Sequence, residues 1–233
     1  AIGTLMGGMF AQNGGFLTIN RCHLDDAQAQ MAGGFITGQG AATITMTDST
    51  ARNMRVMSGG MAPIMLVDSP TLTMDGCTLT GFRSGFSSSR GEGSVFNLAK
   101  GSAYISNTHI EDFYPNKGSL IDITQGSNFR LASSTVISRP PLISGEDDAG
   151  LPIFRFKDGF WGMLQLTYTA AAVNAFPEAR VELIDTTITH QCRDYVPTGS
   201  QNPPGVYPPI FGAEQNSPST ANMRLYADRL RLA

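Results

Sequence analysis

An eight-residue phrase that returns along the chain without being copied most constrains what this sequence can fold into. It reads Leu17-Thr-Ile-Asn-Arg-Cys-His-Leu24, Ile44-Thr-Met-Thr-Asp-Ser-Thr-Ala51, Leu72-Thr-Met-Asp-Gly-Cys-Thr-Leu79 and Ala103-Tyr-Ile-Ser-Asn-Thr-His-Ile110. It continues as Phe129-Arg-Leu-Ala-Ser-Ser-Thr-Val136, Leu164-Gln-Leu-Thr-Tyr-Thr-Ala-Ala171, Val181-Glu-Leu-Ile-Asp-Thr-Thr-Ile188 and Met223-Arg-Leu-Tyr-Ala-Asp-Arg-Leu230. Positions one, three and eight are apolar throughout, and position six is Cys, Ser, Thr or Asp. The first returns fall 27, 28, 31 and 26 residues apart, after which the spacing is irregular. A unit of that size cannot bury its own apolar face, so its copies must stack, and the expected body is a solenoid.

A weaker phrase falls between the first ones, as in Phe35-Ile-Thr-Gly, Ile64-Met-Leu-Val, Val95-Phe-Asn-Leu, Leu120-Ile-Asp-Ile and Ile210-Phe-Gly-Ala. Period-two alternation argues for strands, and the Gly, Asn and Asp between phrases argue for tight corners. Each coil therefore carries at least two strands, each pairing in parallel with its counterpart one coil away, with the apolar positions filling a central column. The reading is all-β: a right-handed parallel β-helix of about eight rungs and about 38 Å. It forms a single domain over 1–233, with loop insertions at 80–94, 137–152 and 189–209.

Phrase position five carries Asp48, Gly76, Asn107 and Asp185, residue types that tolerate a left-handed backbone, so it marks a corner. Position six then stacks Cys22, Ser49, Cys77, Thr108, Ser134, Thr169 and Thr186 in one line. Small hydroxyls so placed bond the adjacent turn backbone, and the ladder is read as structural.

On the phrase and the coil lengths, the chain resembles the right-handed parallel β-helix, or pectin-lyase-like, superfamily over essentially its whole length. Its glycine pairs Gly7-Gly8, Gly14-Gly15, Gly33-Gly34 and Gly59-Gly60, with Phe10-Ala-Gln-Asn13 and Phe113-Tyr-Pro-Asn116, also resemble the repeats of polymorphic outer-membrane autotransporter passengers. The wider resemblance implies carbohydrate-active enzymes as one option. Resemblance to polygalacturonases would imply Asn-Thr-Asp, Asp-Asp, Gly-His-Gly and Arg-Ile-Lys segments, of which only Asp-Asp is present, at Asp25-Asp26 and Asp147-Asp148.

Other chemistries are set aside by spacing. His23 and His109 share position seven three rungs apart, about 14 Å, whereas metal ligands sit about 2 Å from one ion. Cys22 and Cys77 are two rungs apart, about 10 Å, too far for a disulfide. No catalytic residue, metal site or cofactor is assigned. Charged residues are 15% of the chain and the net charge is -3, which offers no basic surface for nucleic acid. No apolar run approaches the length of a bilayer span.

The functional expectation is a non-enzymatic structural or adhesive module of a longer surface, appendage or large-assembly protein, extracellular or at the cell surface. Its outward strands and long loops would contact proteins or glycans. The alternative is a carbohydrate-active lyase or hydrolase with an unrecognised site. The binding residues named are Thr73, Tyr104, Arg130 and Gln165 on one outward stripe, with Tyr195 and Tyr207 in the Pro-rich 189–209 insertion. Neither end carries an amphipathic lid, so both ends are expected uncapped and stacked on further rungs or neighbouring subunits.

Overall fold

The computed structural model shows an all-β parallel solenoid. It describes residues 8–30, 32–57, 62–83, 94–113, 119–124, 126–138, 164–168, 179–190, 211–215 and 223–232, and among these there is no helix. The first coil shows the plan: β1 (Phe10–Asn13), β2 (Phe16–Asn20) and β3 (His23–Ala29) lie in three different sheets.

Numbered in chain order, the first sheet is continued by β4 (Ile36–Gln39), β7 (Ile64–Val67), β10 (Ser94–Ala99), β13 (Ser119–Thr124), β16 (Leu164–Tyr168) and β19 (Phe211–Gln215). The second is continued by β5 (Thr43–Thr47), β8 (Thr71–Asp75), β11 (Ser102–Ser106), β14 (Asn128–Ala132), β17 (Ala179–Ile184) and β20 (Met223–Asp228). The third is continued by β6 (Thr50–Val56), β9 (Thr78–Thr80), β12 (His109–Glu111), β15 (Thr135–Ser138), β18 (Thr187–His190) and β21 (Arg231–Leu232). Every pairing is parallel, as between β5 and β8 or β14 and β17.

The coil thus has three strands, and the eight-residue phrase spans two of them. Positions one to four lie in the second sheet, five and six form the corner, and seven and eight open the third sheet. Each sheet holds seven strands where the phrase count predicts eight rungs. The shortfall is phrase six: Leu164-Gln-Leu-Thr-Tyr168 pairs with β13, so it belongs to the first sheet. Phrase eight is displaced by two residues. Val181 pairs with Leu225 and Leu183 with Ala227, which makes Leu225, not Met223, its position one.

The inward side chains form one column. Ile44, Met46, Ala51, Leu72, Met74, Leu79, Ile105, Ile110, Phe129 and Leu131 are all buried, and residues at the same phrase position lie over one another. Phe10, Phe35 and Phe82 stack edge-to-face with centroids 6.1 and 5.8 Å apart, and Phe96 meets Phe129 at 5.6 Å. Fully burying a side chain of this size contributes about 1.5–3 kcal/mol.

The corner between the second and third sheets repeats in every coil. Arg21, Asp48, Gly76, Asn107, Ser133, Asp185 and Arg229 all hold the left-handed conformation, with φ between 47° and 63°. At Gly76 a side chain would be strained as well as crowded, because a Cβ there would stand 2.8 Å from Asp48 Oδ1. Just inside lies the ladder. Cys22 N donates to Ser49 Oγ (3.0 Å), Cys77 N to Thr108 Oγ1 (3.4 Å) and Thr108 N to Ser134 Oγ (3.1 Å). Each hydroxyl in turn donates to the carbonyl two residues before it: Ser49 to Thr47 (2.6 Å), Thr108 to Ser106 (2.7 Å), Ser134 to Ala132 (2.7 Å) and Thr186 to Ile184 (3.0 Å). The expected structural ladder is present, although Thr169 lies outside the described residues.

The corner from the third sheet back to the first takes the length variation. Its segments run over 30–35, 57–63, 81–93, 112–118, 139–163 and 191–210. Of the expected insertions, 137–152 and 189–209 open on residues that lie in β15 and β18, and 80–94 shares Thr80 with β9 and Ser94 with β10.

Candidate functional site

The outward side chains of the second sheet alternate with the buried ones, and pairing brings phrase position two of every coil into one row. The row runs Thr18, Thr45, Thr73, Tyr104, Arg130, Glu182, Tyr226. At about 4.8 Å per strand it is about 29 Å long. Its first half is hydroxyl-bearing, and its second half is aromatic and charged. Tyr104 and Tyr226 are large exposed side chains, at 42% and 52%.

Three of the residues named from sequence, Thr73, Tyr104 and Arg130, stand on adjacent strands of this row. Gln165 does not. It lies in the first sheet, opposite Asp122 and Gly212, for the reason that displaced phrase six. Tyr195 and Tyr207 lie outside the described residues. The place given to Gln165 is taken by Glu182, and the row ends on Tyr226, which the two-residue slip in phrase eight had hidden.

Glu182 is the best-anchored polar side chain of the row. Arg130 Nε lies 3.7 Å from Glu182 Oε2, and the Arg180 guanidinium pairs with Glu182 Oε1. The carboxylate side chain is 18% exposed, while Arg130 and Arg180 are 48% and 58% exposed. One carboxylate thus faces two guanidiniums, on a row that continues to Tyr104 on one side and Tyr226 on the other.

The neighbouring row is engaged within the fold. Asp75 accepts hydrogen bonds from Ser106 Oγ (2.6 Å) and Asn107 Nδ2 (2.7 Å), which hold its carboxyl below the usual carboxylate range. Asn20 Nδ2 donates to Thr47 Oγ1 at 2.5 Å. At the last corner Arg229 pairs with both oxygens of Asp185 and with Asp228 (3.0 Å), lowering the Asp185 pKa and raising its own. A shallow notch of about 430 Å³, lined by Asp185, Thr187, Arg229, Leu230 and Arg231, lies beside this pair.

The histidines stand apart. His23 and His109 are three strand spacings apart, and His109 Nε2 instead meets Glu111 Oε2 at 2.8 Å. Among the described residues no group of three or more His, Cys, Asp or Glu could hold a metal ion. No protein-family model, curated protein or solved structure matches the chain.

Proposed function

We propose that this solenoid is a binding and structural module of a longer surface, appendage or large-assembly protein, and that the outer face of its second sheet is the contact surface. The observation that carries this reading is the Tyr104–Arg130–Glu182–Tyr226 run. Tyrosine and arginine, here in line on neighbouring strands, are the side chains that concentrate binding energy at contact surfaces. The finer placement, within the right-handed pectin-lyase-like superfamily, rests on the phrase and the coil lengths. In this reading further rungs or neighbouring subunits stack along the axis, because the pattern is translational from coil to coil.

The test separates a contact surface from an enzyme. A photo-crosslinking residue placed at Tyr104 in the native setting is expected to give partner adducts that the same residue at Thr45 does not give. Equal adduct yield at both positions would reduce the row to a solvated face. Incubation with acidic oligosaccharides is expected to leave them intact, and release of unsaturated or reducing-end product would establish the enzymatic alternative.

A further inference from the structure

We infer that the run between Tyr104 and Tyr226 docks an acidic polypeptide segment of a partner protein, its carboxylates taken by Arg130 and Arg180 and its apolar side chains by Ile184. The inference rests on the reading of this face as a contact surface and adds the chemistry of what it contacts.

The first ground is charge. Two guanidiniums face one carboxylate here, so Arg130, Arg180 and Glu182 together keep a surplus of one positive charge. Arg130 Nε stands 3.7 Å from Glu182 Oε2, beyond hydrogen-bond distance, and each guanidinium carries more N–H donors than a shared carboxylate can take. Pairing of β17 with β20 sets Arg224 opposite Arg180, which adds a third arginine to the same outward column of the sheet. The acids beside the run are engaged: Asp75 accepts from Ser106 and Asn107, and Asp228 pairs with Arg229. A second carboxylate arriving beside Glu182 therefore meets unspent cations.

The second ground is the adjoining row. Phrase position four is polar in the early coils, at Asn20, Thr47, Asp75 and Ser106, and then turns apolar at Ala132 and Ile184. These two pair with each other directly beside Arg130 and Glu182. Ile184 is partly exposed on the outer side of the sheet, whereas Leu183 before it is buried in the column. An outward isoleucine among exposed arginines and tyrosines has the composition of a protein contact, apolar at its centre with tyrosine and arginine around it. A polypeptide supplies carboxylates and apolar side chains together. A free anion supplies only the first, and nucleic acid needs a broader basic surface than a chain of net charge -3 provides. Tyr104 and Tyr226 are three strand spacings apart, about 14 Å, a span that about four extended residues cover.

The experiment is a calorimetric titration of the full chain with three probes: a dodecapeptide of glutamate with leucine at every fourth place, the same peptide with glutamine for glutamate, and a sulfated oligosaccharide. The glutamate peptide should bind, more weakly as salt is raised, and the glutamine peptide should not. Arg130→Ala and Arg180→Ala should each weaken binding about tenfold. Glu182→Gln should tighten it, because the competing carboxylate is gone, and Ile184→Ser should weaken it without changing the salt dependence. Thr45→Ala, earlier on the same row, should leave binding unchanged, and unaltered circular dichroism of each variant checks its folding. Binding by neither peptide would overturn the inference while crosslinked adducts at Tyr104 kept the contact surface; loss of both would overturn the reading beneath it as well. Equal binding of the two peptides would overturn the role of charge. Binding of the sulfated oligosaccharide as tightly as the glutamate peptide, indifferent to Ile184→Ser, would overturn the polypeptide as the occupant.

Discussion

The two corners that flank the third sheet differ in one respect that organises the molecule. The corner before it, at phrase positions five and six, has the same length in every coil, while the corner after it ranges from 30–35 to 139–163. At the fixed corner the chain has nothing to spare. One residue is left-handed, and in every coil before the last the next is small, as at Ser49, Thr108 and Ser134; the Thr108 amide bonds the next coil and its hydroxyl bonds its own turn. The chain leaving the third sheet has a left-handed column of its own at Asp26, Asn53, Gly81 and Asp112, yet the spacing to the next strand of the first sheet differs from coil to coil while the strands on either side still pair. Regularity and insertion coexist because each is confined to its own edge of the coil.

The comparison breaks most severely by lengthening the wrong corner. One residue inserted between Asn107 and Thr108 should reverse the inward and outward faces downstream and abolish cooperative unfolding followed by circular dichroism. The same insertion between Gly145 and Glu146 should leave the transition unchanged; equal damage at both sites would dissolve the distinction. Next in size, Thr108→Arg places an unpaired cation in the buried ladder and should cost about 3–5 kcal/mol in denaturant unfolding.

Ser134→Ala sharpens the picture. It removes the acceptor of the Thr108 amide and should cost about 1–2 kcal/mol, and a neutral result would show that the ladder fills space without bonding. A smaller effect is set by pH. Because Ser106 and Asn107 bond the ionised carboxylate, the folded pKa of Asp75 lies below its unfolded value, so its contribution is present above the unfolded pKa and fades as acid takes the pH through the folded one. Asp75→Asn should remove that acid-range component from a pH series of melting temperatures. Smallest of all, outward Thr73→Arg should change stability by no more than about 0.5 kcal/mol.

How far the sequence discloses these features follows from what each one needs locally. Asp48, Gly76, Asn107 and Asp185 announce the corner because their chemistry suits a left-handed backbone. Arg21 and Arg229 occupy the same column and announce nothing, which is how phrase eight came to be read two residues early. Leu164-Gln-Leu-Thr-Tyr168 alternates as well as any position-one strand, and period two cannot say which sheet an alternating segment joins. The third strand was invisible for another reason. Thr78-Leu-Thr80 and His109-Ile-Glu111 are too short to show a period, and they exist as strands only because the coils on either side supply partners. The row inherits these errors: Thr73, Tyr104 and Arg130 were legible as neighbours, while Glu182 and Tyr226 needed the true register.

The ladder also gives the solenoid an arrow. Strand hydrogen bonds run both ways between coils, as Asp48 N donating forward to Asp75 O and Thr50 N donating back to Cys22 O show. The amides of Cys22, Cys77 and Thr108 reach forward, each to the hydroxyl of the position-six residue one coil later in the chain. The return contacts at this position are made by side chains, with the Cys77 thiol reaching back to Met46 O (3.5 Å) and the Thr186 hydroxyl to Leu131 O (3.1 Å). Trimming this body from either end therefore orphans a donor, a position-six amide such as that of Thr108 at one end and an amide such as that of Thr50 at the other.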